Sequence, residues 1–165
     1  MCLTPYLWSI ILFGVLIEVA TADDASEILI LQKLAFRSEA AIYTEYNIPP
    51  LTESIEDMMA YFQKRTFLKA TIDGRMVGSV NGYTQNGTGY IGRLIVHPDF
   101  QNQGIGTKLM HAIEARLTQS KRFEIFTGYR SERNIHLYEK LGYQTFRTEP
   151  ATDRLTMVFM EKLVQ

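Results

Sequence analysis

Two stretches of the 165-residue chain carry side chains able to do chemistry. The first is Leu94-Ile95-Val96-His97-Pro98-Asp99-Phe100-Gln101-Asn102-Gln103-Gly104-Ile105-Gly106-Thr107-Lys108-Leu109, an apolar run, a polar loop with two glycines, and the start of an amphipathic segment. A strand passing through such a loop into a helix offers an anion the unpaired N–H groups and the positive dipole end of the first helical turn. Gly104 and Gly106 clear side chains from that backbone, Thr107 adds a hydroxyl and Lys108 a positive charge. The spacing excludes two phosphate sites. A dinucleotide fingerprint needs glycine where Leu109 stands, and the GxxxxGK[ST] run of a P-loop is absent. Taken alone, the Gly-x-Gly fits a helix that happens to begin with glycines just as well. The second stretch is Ser131-Glu132-Arg133-Asn134-Ile135-His136-Leu137-Tyr138-Glu139-Lys140-Leu141-Gly142-Tyr143. Without further context its Tyr138 reads as a buried aromatic on an amphipathic helix. His97 reads as an exposed loop residue, and His111 and His136 have no partner at metal-ligand spacing, so no metal is expected. The single cysteine, Cys2, excludes an internal disulfide and the CxxC patterns.

The elements that must position these stretches follow from periodicity and turn chemistry. Leu16-Ile17-Glu18-Val19-Ala20 alternates as a strand, and Asp24 to about Tyr46 reads as a helix with Asp24 as N-cap and Glu27 three residues on. Asn47-Ile48-Pro49-Pro50 breaks it, and Glu53 to Lys64 forms a second helix. Thr66–Ile72, Met76–Thr84 and Gly89–Val96 are three strands joined by Asp73-Gly74 and Asn86-Gly87 turns, hence an antiparallel meander. A helix over Gly104–Ser120, a strand over Phe123–Thr127, a helix over Glu132–Leu141 and strands over Tyr143–Thr148 and Leu155–Met160 complete the chain. The Gly89–Val96 and Phe123–Thr127 strands flank a helix and are expected to be parallel. The fold class is α/β, a single domain with a mixed, mostly antiparallel central sheet flanked by helices.

Residues 1–17 contain no charge, yet Glu18 stops the run short of the ~20 apolar residues of a membrane span, and Pro5 lies within it. A secretory signal wants a basic start, whereas the first basic residue is Lys33. Ala20-Thr21-Ala22 resembles a cleavage site, but cleavage after Ala22 would remove the first strand. The expected domain is therefore 16–165, with 1–15 an apolar extension; initiation at Leu16 would account for it. With 17 Lys plus Arg against 18 Asp plus Glu, the net charge of −1 gives no basis for nonspecific nucleic-acid binding.

Gln101-Asn102-Gln103-Gly104-Ile105-Gly106, after a strand ending Val96-His97-Pro98, resembles the [RQ]-x-x-G-x-[GA] pyrophosphate-binding motif of the GNAT superfamily of acyl-CoA-dependent N-acyltransferases. The 131–143 stretch resembles that family's second signature. The resemblance implies acetyl-CoA as co-substrate and acetyl transfer to a primary amine by direct attack on the thioester. It implies that the backbone of Leu94, Ile95 and Val96 hydrogen-bonds the pantetheine arm, with an N–H of Val96 or a neighbour polarising the acetyl carbonyl. It places the pyrophosphate in the loop of Gln101, Asn102, Gln103, Gly104, Ile105, Gly106 and Thr107, and makes Tyr138 the acid that protonates the departing sulfur. The asparagine common seven residues before that tyrosine is Ser131 here, read as a helix N-cap, so Asn134 is expected to contact the cofactor. The strands that often carry the family's catalytic glutamate have none facing the site: Phe126 follows Ile125, and alternation turns Glu124 outward. The general base is therefore unassigned, with a water held by carbonyls as one option. An amine proton costs roughly 4–5 kcal/mol to remove at neutral pH for a lysine-like pKa of ~10.4, so help is required. The acceptor, a small-molecule or peptide amine, is expected near Tyr43-Thr44-Glu45-Tyr46-Asn47-Ile48-Pro49-Pro50-Leu51, held by charge and tyrosine rings or else passing a plain solvated loop. A cytoplasmic enzyme follows, with a homodimer left open; a non-catalytic acyl-CoA sensor on the same fold is the alternative.

Overall fold

A computed structural model of the chain describes residues 14–165. The expectations for residues 1–13, including the anchor and signal readings, lie outside the described residues. The described elements are β1 (Leu16–Val19), α1 (Ala25–Tyr43), α2 (Pro49–Thr52), α3 (Ile55–Phe62), β2 (Thr66–Ile72), β3 (Arg75–Gln85), β4 (Thr88–Val96), α4 (Ile105–Arg116), β5 (Arg122–Gly128), α5 (Glu132–Lys140), β6 (Gln144–Pro150) and β7 (Thr156–Leu163). The sheet order is β1-β2-β3-β4-β5-β7-β6, antiparallel throughout except for the parallel pair β4–β5. This is the mixed, mostly antiparallel α/β sheet expected, with helices on both faces.

Local chemistry sets the boundaries. Asp73 and Gly74, then Asn86 and Gly87, take positive φ at the two hairpin turns, as Asp-Gly and Asn-Gly do in I′ turns. α1 ends three residues earlier than periodicity suggests, because Thr44 turns left-handed (φ 50°). Asp24 precedes α1 but does not cap it. Its carboxylate accepts from Thr21 N at 2.9 Å and from Lys69 Nζ at 2.8 Å, tying the helix start to β2. Before α3, Ser54 accepts from Asp57 N at 3.1 Å while Asp57 accepts from Ser54 N at 2.8 Å, a reciprocal cap. The unanticipated α2 is a single turn started by Pro49 and Pro50.

Strand alternation sends side chains to two cores. On one face Leu68, Val77 and Val80 meet Ile105, Leu109, Met110 and Ile113 of α4. On the other, Phe67, Met76 and Ile95 meet Ile28 and Leu31 of α1 and Met58 of α3. Each such side chain contributes about 1.5–3 kcal/mol of hydrophobic stabilisation. α4 lies close on β3 because Gly78 and Gly82 carry no side chain there. A Cβ at Gly78 would sit 3.0 Å from Leu109 Cδ1, and one at Gly82 2.9 Å from Leu117 Cδ1.

The site is opened by a fault in this sheet. β4 and β5 pair only over Thr88–Tyr90 and Arg122–Glu124. There a bare Gly89 allows close approach; its Cβ would be 2.7 Å from Phe123 Cδ1. Beyond Tyr90 the strands part, while β5 stays paired with β7 along its whole length. The β3–β4 register slips between Ser79/Ile95 and Asn81/Gly92, so Arg93 and Leu94 together face Val80, and Arg93 has φ 50°. A bulge of this kind bends its strand and unpairs local backbone.

Candidate active site

The parted strands expose the β4 backbone. His97 N donates to Val77 O of β3 at 2.8 Å, so by alternation the N–H and C=O groups of Leu94 and Val96 point into the gap. Val96 O agrees, since it accepts from Gln101 Nε2 across the loop at 3.3 Å. His97 is not an exposed loop residue. Its Nδ1 accepts from Asp99 N at 3.1 Å and its ring packs edge-on against Phe100.

Beside the gap lies a cleft of about 470 Å³. Leu94, Ile95, Val96, Gln101, Asn102, Gly104, Ile105, Gly106, Thr107 and Asn134 all line it. Gln103 does not; it is exposed, between two residues that do. Ile95 lines the cleft while its side chain belongs to the core formed with α1. Asn102 (φ 62°) and Gly104 (φ 79°) turn the loop, and Gly104 stands at the N-cap of α4. Nothing lies within 4 Å of an imagined Gly104 Cβ, so the space in front of the α4 N-terminus is open. Gly106 has a different purpose: its Cβ would lie 3.3 Å from Leu137 Cδ2 and near Leu94 and Val96, so its bareness serves helix packing.

α5 supplies the cleft's opposite wall. Arg133, His136, Leu137 and Lys140 recur at helical spacing and line it, three of them cationic or able to become so. Arg133 also donates to Gln101 Oε1 and, at 3.5 Å, to Asn102 Oδ1, bracing the loop. An open helix N-terminus facing basic side chains fits a polyanion. The basic residues of α5 lie within the second motif, where their helical repeat was visible but unused.

A second pocket of about 290 Å³ lies across the gap, lined in part by Phe36, Tyr43, Ile48, Pro49, Pro50, Arg93, Phe126 and Tyr138. Phe36, Glu39, Leu94 and Asn134 line both cavities, so the two meet at the parted strands. Of the segment expected to meet an acceptor, Tyr43, Ile48, Pro49 and Pro50 do line this pocket, whereas Glu45 and the exposed Tyr46 do not. The carboxylate present is Glu39, one helical turn before Tyr43. Glu124 faces away, paired with Arg122 at 2.9 Å.

Tyr138 is 3% exposed. Burial, with a smaller contribution from the nearby Glu39 charge, pushes its phenol above the ordinary value of 10.0, so it stays protonated at neutral pH. Ser131 stands at the N-cap position of α5 as expected, but its side chain makes no capping bond. It donates instead to Glu39 Oε2, and so must accept from Tyr43 Oη, 3.0 Å away, since a hydroxyl has one proton to give. Tyr43 Oη in turn accepts from Arg130 N at 2.7 Å. Asn134 Nδ2 donates to Thr127 Oγ1 at 3.2 Å and reaches Glu39 Oε1 at 3.5 Å. Arg93 donates to the buried Glu53, which also accepts from Gln32 Nε2 at 2.7 Å. Among the described residues no group of three or more His, Cys, Asp or Glu could hold a metal ion, and no helix is long and apolar enough to cross a membrane.

The chain is similar to known proteins in sequence and in fold. The UPF0157 protein YqkA of Bacillus subtilis (strain 168) is 28% identical over 136 residues, 82% of this chain but 39% of that protein. This chain thus spans about two fifths of that relative's length. An acetyltransferase of Yersinia pestis (strain Pestoides F) is 28% identical over 131 residues, 78% of this chain and 87% of that protein. Among solved structures, the PaiA N-acetyltransferase from Thermoplasma acidophilum, in complex with coenzyme A, superposes with a TM-score of 0.76. It is 15% identical, covers 92% of this chain and 99% of that one, and so bears on the fold alone. The model of the acetyltransferase (GNAT) family matches residues 30–143, well over half of the chain, and the chain belongs to that family.

Proposed function

We propose that the chain moves an acetyl group from acetyl-CoA to a primary amine, of a small molecule or a peptide, by direct attack on the thioester, within a domain spanning 16–165. The observation that carries this reading is the meeting of two cavities at the parted β4–β5 edge. One has the character of a polyanion cleft and the other is a small apolar pocket with a carboxylate and a phenol.

In this reading the unpaired α4 amides of Ile105, Gly106 and Thr107 hold the diphosphate, with Arg133 and Lys140 supplying positive charge. The outward N–H and C=O groups of Leu94 and Val96 take the pantetheine arm as an added strand would. An N–H of this open edge donates to the acetyl oxygen as charge develops on it. The amine lone pair attacks the carbonyl carbon, the C–N bond forms and the C–S bond breaks. Tyr138 gives the sulfur a proton. A thiol ordinarily has a pKa near ~8.5, and burial keeps Tyr138 protonated at neutral pH, so the phenol holds a proton to donate.

The test is free-thiol release from acetyl-CoA with a panel of a polyamine, a lysine amide, an aminoglycoside and peptides with free N-termini, alongside calorimetry with coenzyme A. Binding with turnover on at least one amine is expected. Failure of coenzyme A to bind the folded chain refutes the reading, and tight binding without turnover on any amine favours the acyl-CoA sensor.

A further inference from the structure

We infer that Glu39 is the base that receives the proton of the acceptor amine, and that Tyr43, Ser131 and Asn134 are the positioning residues that aim it. The inference rests on the transferase reading above and supplies the group that reading lacks.

Three observations carry it. First, Glu39 lines both cavities, so it stands at the junction where donor and acceptor must meet. Second, it is a carboxylate without a cation. Among the described residues, Glu53 is paired with Arg93, Glu114 with Lys162, Glu124 with Arg122 and Asp24 with Lys69, but no lysine or arginine pairs with Glu39. Its two bonds, from Ser131 and at long range from Asn134, leave lone-pair sites for an incoming ammonium. Third, a buried chain of donors fixes it: Arg130 N–H to Tyr43, Tyr43 to Ser131, Ser131 to Glu39. Ser131 is 1% and Tyr43 6% exposed. Gly128 is bare where Tyr43 passes; a Cβ there would lie 2.2 Å from Tyr43 Oη. Such a chain is costly for a plain surface carboxylate and useful for one that must hold its direction.

The other ionisable groups near the carboxylate are accounted for. Tyr43 is on the same helix and donates toward Ser131. Tyr138, from α5, faces the second pocket as the acid. Arg93, from β4, is engaged by Glu53, and Arg133, His136 and Lys140 line the cofactor cleft. The proton count closes. An ammonium loses one proton to Glu39, which passes it to solvent; the nitrogen's second departing proton restores Tyr138 after that phenol has protonated the sulfur. The products are the N-acetyl amine, coenzyme A thiol and one released proton.

The experiment is the pH dependence of kcat/KM with an amine that the wild-type chain acetylates, for wild type, Glu39→Gln, Glu39→Asp and Ser131→Ala, with calorimetric coenzyme A affinity as the check on folding. Wild type is expected to be flat from neutral pH up to the pKa of the amine, because the bound ammonium is deprotonated in place. Glu39→Gln should fall on the order of 100-fold at neutral pH and then climb about tenfold per pH unit up to that pKa, following the neutral amine in solution. Glu39→Asp keeps a carboxylate and should give a lower but flat profile, which decides the matter if the glutamine variant fails to bind coenzyme A. Ser131→Ala removes a donor from the carboxylate and unlinks it from Tyr43, so kcat should fall on the order of tenfold with KM and coenzyme A affinity unchanged. A Glu39→Gln chain that binds coenzyme A normally and runs parallel to wild type overturns the inference, as does a Glu39→Asp chain with wild-type kcat/KM. Absence of turnover by the wild-type chain itself would instead fell the transferase reading and the base with it.

Discussion

Gly128→Ala is the smallest change able to test how the site is held. One methyl group is added at the end of β5, where its position is set by the backbone. It would lie 2.2 Å from Tyr43 Oη, 2.6 Å from Cζ and 2.9 Å from Cε2, against a comfortable separation of about 3.5–4.0 Å. The ring must therefore retreat by on the order of 1 Å, which disturbs the packing of a side chain that is buried at the C-terminal end of α1. Overpacking of this kind costs about 1–3 kcal/mol. The retreat also breaks the bonds of Tyr43 Oη to Arg130 N and Ser131 Oγ, worth about 1 kcal/mol each. Loss of glycine's freedom in the unfolded chain returns about 0.4–1 kcal/mol. The net is a destabilisation of about 2–5 kcal/mol, or a fall in Tm of roughly 10 °C for a chain of this size.

The assay is urea denaturation of four chains forming a double-mutant cycle: wild type, Gly128→Ala, Tyr43→Ala and the pair. If the methyl acts through the ring, it should cost less than about 0.5 kcal/mol once Tyr43 is truncated, and the coupling should approach the full cost of the single change. A Gly128→Ala chain within about 0.5 kcal/mol of wild type, or a cycle that is simply additive, would show that the contact does not have the tightness on which the Tyr43–Ser131–Glu39 arrangement depends.

Three other outcomes follow from the same geometry. Tyr138→Phe should lower kcat on the order of 100-fold while coenzyme A affinity by calorimetry stays near wild type; an unchanged kcat rejects the acid role. Gly104→Asp would put a carboxylate into the open space before the α4 N-terminus and should weaken coenzyme A at least about tenfold by charge repulsion, whereas Gly104→Asn, which tolerates the left-handed backbone, should weaken it far less; equal affinities would move the diphosphate elsewhere. Burial pushes Asp24 up, but the bonds from Lys69 and Thr21 outweigh it and hold its carboxyl below the ordinary 3.8. A lowered folded pKa contributes stability that is complete above 3.8 and lost as pH falls through the lower folded value, so Asp24→Asn should flatten the acid limb of urea midpoint against pH, and an unchanged limb would deny the coupling.

What could be read from the chain, and what could not, divides by how local the cause is. The meander was legible because Asp73-Gly74 and Asn86-Gly87 dictate their turns from two adjacent residues. The loop between β4 and α4 was legible as a unit because Gln101, Gly104 and the first turn of α4 lie within a few residues, and the structure brings them to one cleft. Gly106 was legible as a glycine but not in its purpose, since the side chain it makes way for, that of Leu137, belongs to another helix. The acceptor side hid for the same reason in stronger form. Glu39 reaches its partners Ser131 and Asn134 across 92 and 95 residues, and on α1 it occupies an ordinary polar position that periodicity assigns to solvent. The absence of a glutamate facing the site from β4 and β5 and the serine at 131 looked like two unrelated departures from the family pattern. They are one feature. Where the strands furnish no carboxylate, α1 furnishes it from above the gap. A carboxylate arriving on a helix rather than a strand then needs a short donor beneath it to fix its direction. At position 131 a hydroxyl is short enough to sit between Tyr43 and Glu39, accepting from one and donating to the other. An asparagine there would be longer by one bond and would accept and donate through two different atoms, so it could not take the hydroxyl's place at the single point between Tyr43 Oη and Glu39 Oε2.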